Sequence, residues 1–211
     1  SFNAAATQTA LTGVDLVIIG RSLSSAAYSN GNADGYNGLN IPVINFTSYT
    51  ARNLGNRMGW HNGSASATQS ILGDETTITA AGAAILGIPE GTYDLFDTNQ
   101  GGDFNGLGTG TFGDGQILAT IGGDVLAAIW ETGDAPGDPT AAGVATFPAP
   151  RLLMNLDDDP RPTGEFTAQT PLGLELTVGA IGQFGGLTAV PEPSSALLGL
   201  AGLGLLGLRR R

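Results

Sequence analysis

The sequence predicts an α/β body on a parallel sheet, followed by a single hydrophobic C-terminal helix. Three observations predict it. Asp15–Gly20 (DLVIIG) and Pro42–Thr47 (PVINFT) are short apolar runs without alternation, the pattern of strands buried on both faces of a parallel sheet. A polar crossover separates them and a helical pattern follows the second, which is the order of an α/β unit. The last apolar stretch, Ala196 to Leu208, contains only Ala, Leu and Gly and runs into three arginines.

Residues 1–14 are small and polar, with a helix expected over Ala4–Leu11 and a turn at Gly13. After DLVIIG, turn chemistry at Asn30-Gly31 and Asp34-Gly35 brackets a short helix around Asp34–Leu39. PVINFT is the second strand, and Ser48 stands as the N-cap of a helix over Tyr49–Met58. The chain then turns more β-like. Short strands are expected at Ser66–Leu72, Glu75–Ala80 and Thr92–Phe96, with one helical turn at Ala81–Leu86 and a glycine-rich loop over Asn99–Gly115. Gln116–Ile121 and Val125–Glu131 read as a hairpin about Gly122-Gly123-Asp124. A loop at Asp134–Pro139, a strand at Arg151–Asn155 and an acidic turn at Asp157–Pro162 follow. Thr170 and Pro171 form an N-cap and N1 pair opening a helix to Gln183, with Leu172, Leu176, Val178 and Ile181 as its apolar stripe. The expected domains are 1–184 for the body, 185–189 for a linker and 190–211 for the tail.

Charge narrows the function classes. The net charge is −11, every basic residue is arginine, and removing the tail leaves the body at −13. Such a surface repels nucleic acid and anionic membrane, so no nucleic-acid partner is expected. There is no cysteine, which removes disulfides, thiolate metal sites and a cysteine nucleophile. Glycine, at 34 of 211 residues, is about twice the usual ~7% and implies many tight turns. The chain begins at Ser1 without a basic and then apolar leader, although a chain with this tail is expected to be exported, so the sequence reads as a fragment.

The tail has three parts in fixed order: Pro191-Glu192-Pro193, the apolar run, and Arg209, Arg210 and Arg211. The prolines keep their segment extended and apart from a packed domain. An all-round apolar helix belongs in lipid or a core, and the arginines favour the cytoplasmic side of a bilayer. Thirteen residues span only about 20 Å of a ~30 Å hydrocarbon core, which suits a transient anchor. These residues resemble the PEP-CTERM sorting signal of exported Gram-negative proteins. The resemblance implies an exosortase partner, inner-membrane anchoring by the C-terminal helix before cleavage near Pro-Glu-Pro, and delivery to the cell surface or extracellular matrix. It covers about a tenth of the chain. Extracellular polysaccharide is a further expected partner.

The body, through DLVIIGRSLSS, IPVINFTSYTARNLGNRMGW, ILATIGGDVLAAIWETG and APRLLMNL, resembles glutamine-amidotransferase-like flavodoxin-type domains, including the ThuA-like proteins. The amidotransferase activity needs a cysteine and is not carried over. In an open α/β sheet, ligands sit at the strands' carboxyl ends. Arg21 and Ser22 follow the first strand, and Ser48 and Arg52 the second; two cations with hydroxyls suit a carboxylate, phosphate or sugar. Helix caps and loop hydrogen bonds are the plainer role for the same residues. His61, the one histidine, lacks a G-x-S-x-G serine as partner and reads as part of a loop. Asp157-Asp158-Asp159, and Asp97 with Asn99 and Asp103, have no calcium-loop spacing, so no metal is expected. No catalytic residue and no cofactor is assigned. The leading expectation is a non-enzymatic exported surface protein; the alternative is a carbohydrate-acting hydrolase or ligand-binding domain using the strand-end cleft.

Overall fold

The computed structural model describes residues 9–20, 24–63, 69–70, 75–97, 103–104, 106–108, 110–156 and 169–186. The expected helix at Ala4–Leu11 and the linker at 185–189 fall mostly outside them, and the acidic turn and the tail fall outside them entirely. The strands are β1 (Val17–Ile19), β2 (Val43–Asn45), β3 (Gln69–Ser70), β4 (Thr76–Ile78), β5 (Gly91–Tyr93), β6 (Asp103–Phe104), β7 (Gln116–Ile121), β8 (Asp124–Trp130) and β9 (Arg151–Met154). The helices are α1 (Gly31–Asn37), α2 (Ser48–Ala51), α3 (Ala80–Leu86), α4 (Pro139–Ala142) and α5 (Pro171–Phe184), with a 3₁₀ turn at Ser25–Tyr28.

Seven strands form one open sheet in the order β1-β2-β9-β8-β7-β4-β5, and β3 pairs with β6 separately. The expectation of a parallel sheet holds for only part of it. β1, β2 and β9 are parallel, whereas β8, β7, β4 and β5 each run antiparallel to the strand before them in that order. The fold is therefore mixed α/β. The antiparallel half begins with the hairpin read from the sequence: Ile121 pairs with Asp124, leaving Gly122 and Gly123 as a two-residue loop. Their φ values of 57° and 92° require glycine and match the right-handed twist of the two strands.

Alternation along the central strands divides two hydrophobic clusters between the faces. Ile44, Leu152, Met154 and Ile129 join the cluster covered by α3 and α5. Val43, Leu153, Ala128 and Trp130 join the other, under α1 and the segment carrying Met58 and Trp60. α5 starts as its sequence predicts, with Thr170 Oγ1 accepting from the Gly173 N–H at 3.2 Å and Pro171 at N1. α3 lies close on the sheet because Gly82 has no Cβ; one placed there would collide with the Leu118 carbonyl oxygen.

Several local expectations are corrected. β1 is an edge strand with Ile18 49% exposed, so DLVIIG is not buried on both faces. The helix after β2 is one turn, not Tyr49–Met58; at Arg52 the backbone becomes extended and pairs with His61. Thr47, not Ser48, caps that turn, its side chain accepting from the Tyr49 N–H at 3.2 Å. The strand expected at Thr92–Phe96 lies earlier, at Gly91–Tyr93. Val178 does not belong to the buried stripe of α5, which is formed by Gly173, Leu176, Thr177 and Ala180.

Candidate functional site

The carboxyl ends of β2 and β9 lie side by side, with Asn45 as the last residue of β2 and Asn155 immediately after β9. Both are fully buried. A buried amide needs partners, and the adjoining backbone supplies them. Asn45 Oδ1 accepts from the Thr47 N–H at 3.1 Å and from Thr50 Oγ1 at 2.9 Å. Asn155 Oδ1 accepts from the Ser48 N–H at 3.1 Å. The two amides thus hold the Thr47–Thr50 turn against the ends of both strands. Asn45 Nδ2 and Ser48 Oγ are buried there, and neither has a hydrogen-bond partner among the described residues.

Of the four residues expected in the cleft, Arg21 and Ser22 lie outside the described residues. Ser48 and Arg52 occupy opposite ends of the α2 turn. Ser48 is fully buried, while Arg52 is half-buried with its guanidinium 4.7 Å from the centre of the Tyr49 ring. Pro191, Glu192 and Pro193, and Arg209, Arg210 and Arg211, also lie outside the described residues.

His61 stands on the segment that pairs with Arg52 and is fully buried, with its ring 4.6 Å from that of Phe112. Neither ring nitrogen has a hydrogen-bond partner among the described residues, so no serine–histidine–carboxylate relay forms there. Burial without a partner lowers its pKa below 6.5 and keeps the ring neutral. A Cβ at Gly110 would collide with Nε2, so the backbone of residue 110 closes the ring in. The spacing Gly108-x-Gly110-x-x-Gly113 matches a dinucleotide fingerprint in letters alone. It leads into β7 and opens no helix, so the phosphate-binding geometry is missing.

Beneath this edge, on the same face, Arg151 is fully buried at the start of β9. Its guanidinium donates to the carbonyls of Asn37, Leu39, Ile41, Ala149 and Pro150 at 2.8–3.0 Å and lies 5.3 Å from the centre of the Phe147 ring. Burial brings its pKa from 12.5 down to about 9, which leaves it cationic at neutral pH. The carbonyls at the end of α1 supply the negative pole that offsets the charge. Asn37 adds to this frame, accepting from Trp60 Nε1 at 2.7 Å. These groups are structural. A shallow cleft of about 230 Å³ opens at the opposite end of the central strands, lined by Ile85, Ile129, Glu131, Pro150, Gln183 and Phe184. It holds none of the residues expected to bind a ligand.

Among the described residues no cluster of three or more His, Asp or Glu side chains is arranged to hold a metal, and no helix is long and apolar enough to cross a membrane. Sequence reasoning passed over Asn45 and Asn155 as site residues. The signal was present: each is a polar residue at the end of an apolar strand, in VIN and LLMN.

The body is thus a mixed α/β domain with a polar, tightly bonded edge at the ends of its parallel strands. Residues 189–211 match the PEP-CTERM protein-sorting motif, which supports exosortase-dependent sorting to the cell surface with processing at the C-terminus. A solved structure described as a cytoplasmic protein from Salmonella typhimurium aligns over 84% of this chain and 77% of its own, at 12% identity and a TM-score of 0.46. Comparison with the curated proteins finds no match.

Proposed function

We propose that this is an exported protein whose final segment, 190–211, is a sorting signal and temporary inner-membrane anchor, with 185–189 as linker and 1–184 as cargo. The carrying observation is the motif match at 189–211, with Pro191-Glu192-Pro193, the Leu/Ala/Gly run and Arg209–Arg211 in the required order. The apolar run enters lipid while the arginines remain at the cytoplasmic face, leaving Pro-Glu-Pro at the outer boundary for an exosortase. Cleavage then releases the body to the surface or matrix, where extracellular polysaccharide is its expected neighbour. The body's role is non-catalytic in this reading, and its flavodoxin-type resemblance rests on the order of its elements. The test expresses the full-length gene with and without an exosortase and follows mass and location. Loss of the C-terminal segment only when the enzyme is present supports the reading; an intact, membrane-held chain in both hosts overturns it.

A second reading has one observation in its favour. Asn45 Nδ2 and Ser48 Oγ are buried without partners among the described residues, beside the carboxyl ends of β2 and β9. An unsatisfied donor and hydroxyl at a strand end suit a polar ligand such as a sugar or carboxylate, with Arg52 at the rim. A sugar or carboxylate panel screened by thermal shift tests this. A stabilising compound whose effect vanishes in Asn45→Ala and weakens in Arg52→Ala supports the reading, and equal stabilisation of all three proteins removes the site.

A further inference from the structure

Two non-glycine residues among those described have a positive φ, Asn30 at 56° and Asn56 at 52°, and they hold each other. The Asn30 N–H donates to the Asn56 carbonyl at 2.6 Å, and Asn56 Nδ2 donates to Asn30 Oδ1 at 3.1 Å. Asn30 is also the first central residue of a β-turn, closed by the Asn32 N–H donating to the Ser29 carbonyl at 3.3 Å. Its φ of 56° and ψ of −138° lie close to the type II′ values of about 60° and −120°. That position ordinarily takes glycine. Asparagine occupies it here at a conformational cost, held by its partner.

This backbone has a chemical consequence. At a II′ ψ, Cβ of an L residue eclipses the nitrogen of the next residue, because of the handedness at Cα. An imide ring through Cα, Cβ, Cγ, the backbone carbonyl carbon and that nitrogen requires the same torsion. The next residue is Gly31, which has no side chain to crowd its nitrogen. Asn30 is exposed, so its carboxamide is free to rotate toward that nitrogen. We propose that Asn30-Gly31 is a site of spontaneous imide formation and deamidation, and that the fold accelerates it. The Gly31 nitrogen attacks Asn30 Cγ, the new C–N bond closes the ring, and the Cγ–Nδ2 bond breaks. Ammonia leaves with the proton lost from the Gly31 nitrogen. Water then opens the imide at Cγ to give aspartate, or at the backbone carbonyl carbon to give isoaspartate. Asn56 Nδ2 assists by donating to the oxygen on which charge develops during the attack. Water is the one co-reactant, and either product adds one negative charge to a chain at −11.

The chain supplies its own controls. Asn-Gly recurs at Asn37, Asn62 and Asn105, the last outside the described residues. Asn37 ends α1 and is fully buried, its Nδ2 donating to the Met58 and Ala142 carbonyls at 2.8 and 2.9 Å. Its would-be nucleophile, the Gly38 N–H, donates to the Asp34 carbonyl at 2.9 Å. Asn62 is exposed but pairs antiparallel with Thr111. Helical ψ of about −42° and extended ψ of about +135° both hold the next nitrogen away from Cβ.

The test ages the full chain in mildly alkaline buffer, native and in urea, and maps each site by peptide mass and by isoaspartyl methyltransferase labelling. In urea the sites share the same following glycine and lose their backbone differences. Folding is expected to speed conversion at Asn30 several-fold over its rate in urea and to slow Asn37 and Asn62 several-fold. Conversion at Asn30 that is no faster folded than in urea, or no faster than at Asn62 in the folded chain, overturns the proposal. Asn30→Gly suits the same φ and is expected to remove the main species that gains one negative charge on native ion exchange. That species forming at the parent's rate in Asn30→Gly also overturns it.

Discussion

The two halves of the sheet bury different chemistry. The parallel half, β1-β2-β9, and the segments covering it contain Asn37, Asn45, Thr47, Ser48, Thr50, His61, Arg151 and Asn155, all buried. On the antiparallel side, β7 and β4 with α3 and α5 pack mostly through Ile78, Leu86, Leu118, Ile121 and Leu176, and the buried polar groups among the described residues there are Thr76, Thr177 and, at the hairpin end of β8, Asp124. An apolar interface needs only shape, whereas each buried polar atom needs a partner at hydrogen-bond geometry. The antiparallel half is therefore a packing scaffold, and the parallel half is a bonded frame whose strand ends are held in one arrangement.

That contrast is sharpest at Arg151. Replacing it with Met leaves four of its five carbonyls without a donor, Pro150 keeping that of the Val43 N–H, and is expected to cost about 3–5 kcal/mol, since each stranded buried acceptor costs ~1–3 kcal/mol. Urea denaturation of the two proteins measures it; a loss below 1 kcal/mol would make the parallel half as tolerant as an ordinary apolar core. In the scaffold half, Gly82→Ala puts a methyl against the Leu118 carbonyl and is expected to cost about 1–3 kcal/mol through overpacking. Unchanged stability there would mean that α3 is free to move off the sheet.

His61 separates the halves by pH. Its folded pKa is lowered, so below 6.5 the unfolded chain takes up a proton that the folded chain refuses. Its cost is absent above the unfolded value and grows as pH falls toward the folded one, with a slope of up to ~1.4 kcal/mol per pH unit. His61→Phe is expected to flatten that part of the stability profile between pH 6.5 and 5; a profile parallel to the parent's would show that carboxylates alone govern acid sensitivity. The smallest effect belongs to Asp138, the cap of α4, whose Oδ1 accepts from the Thr140 and Ala141 N–H groups at 3.0 Å. Its pKa is lowered chiefly by the Asn53 amide, then by the Ala141 N–H, so its contribution is present above the ordinary carboxylate range and lost as pH falls through the folded value. Asp138→Ala is expected to cost about 1 kcal/mol at pH 7 and less at pH 3, read from thermal melts at both.

Signals carried by neighbouring residues were legible in the sequence. Gly122-Gly123 turned a hairpin, Thr170-Pro171 opened α5, and PVINFT holds a strand, Val43–Asn45, that is buried at every position. The helix expected at Tyr49–Met58 failed because the turn at Thr47–Thr50 is governed by Asn45 and Asn155, the latter more than a hundred residues away. Ser48 looked like a cap and a cleft hydroxyl, but its neighbour Thr47 took the cap and packing buried Ser48. At the candidate site, then, residue types were readable, whereas burial and partnership were not.

By itself the sequence determined the three-part sequence of the tail, the acidic, cysteine-free body, the hairpin and the start of the last helix. Each depends on composition or on backbone preferences within a few residues. Only the tertiary structure decided strand order, the change from parallel to antiparallel pairing at β9–β8, the edge position of β1 and the carbonyl cage around Arg151. An apolar run shows that a strand is buried. Which strand lies beside it, and in which direction, depends on contacts between residues far apart in the chain, and local patterning does not encode those.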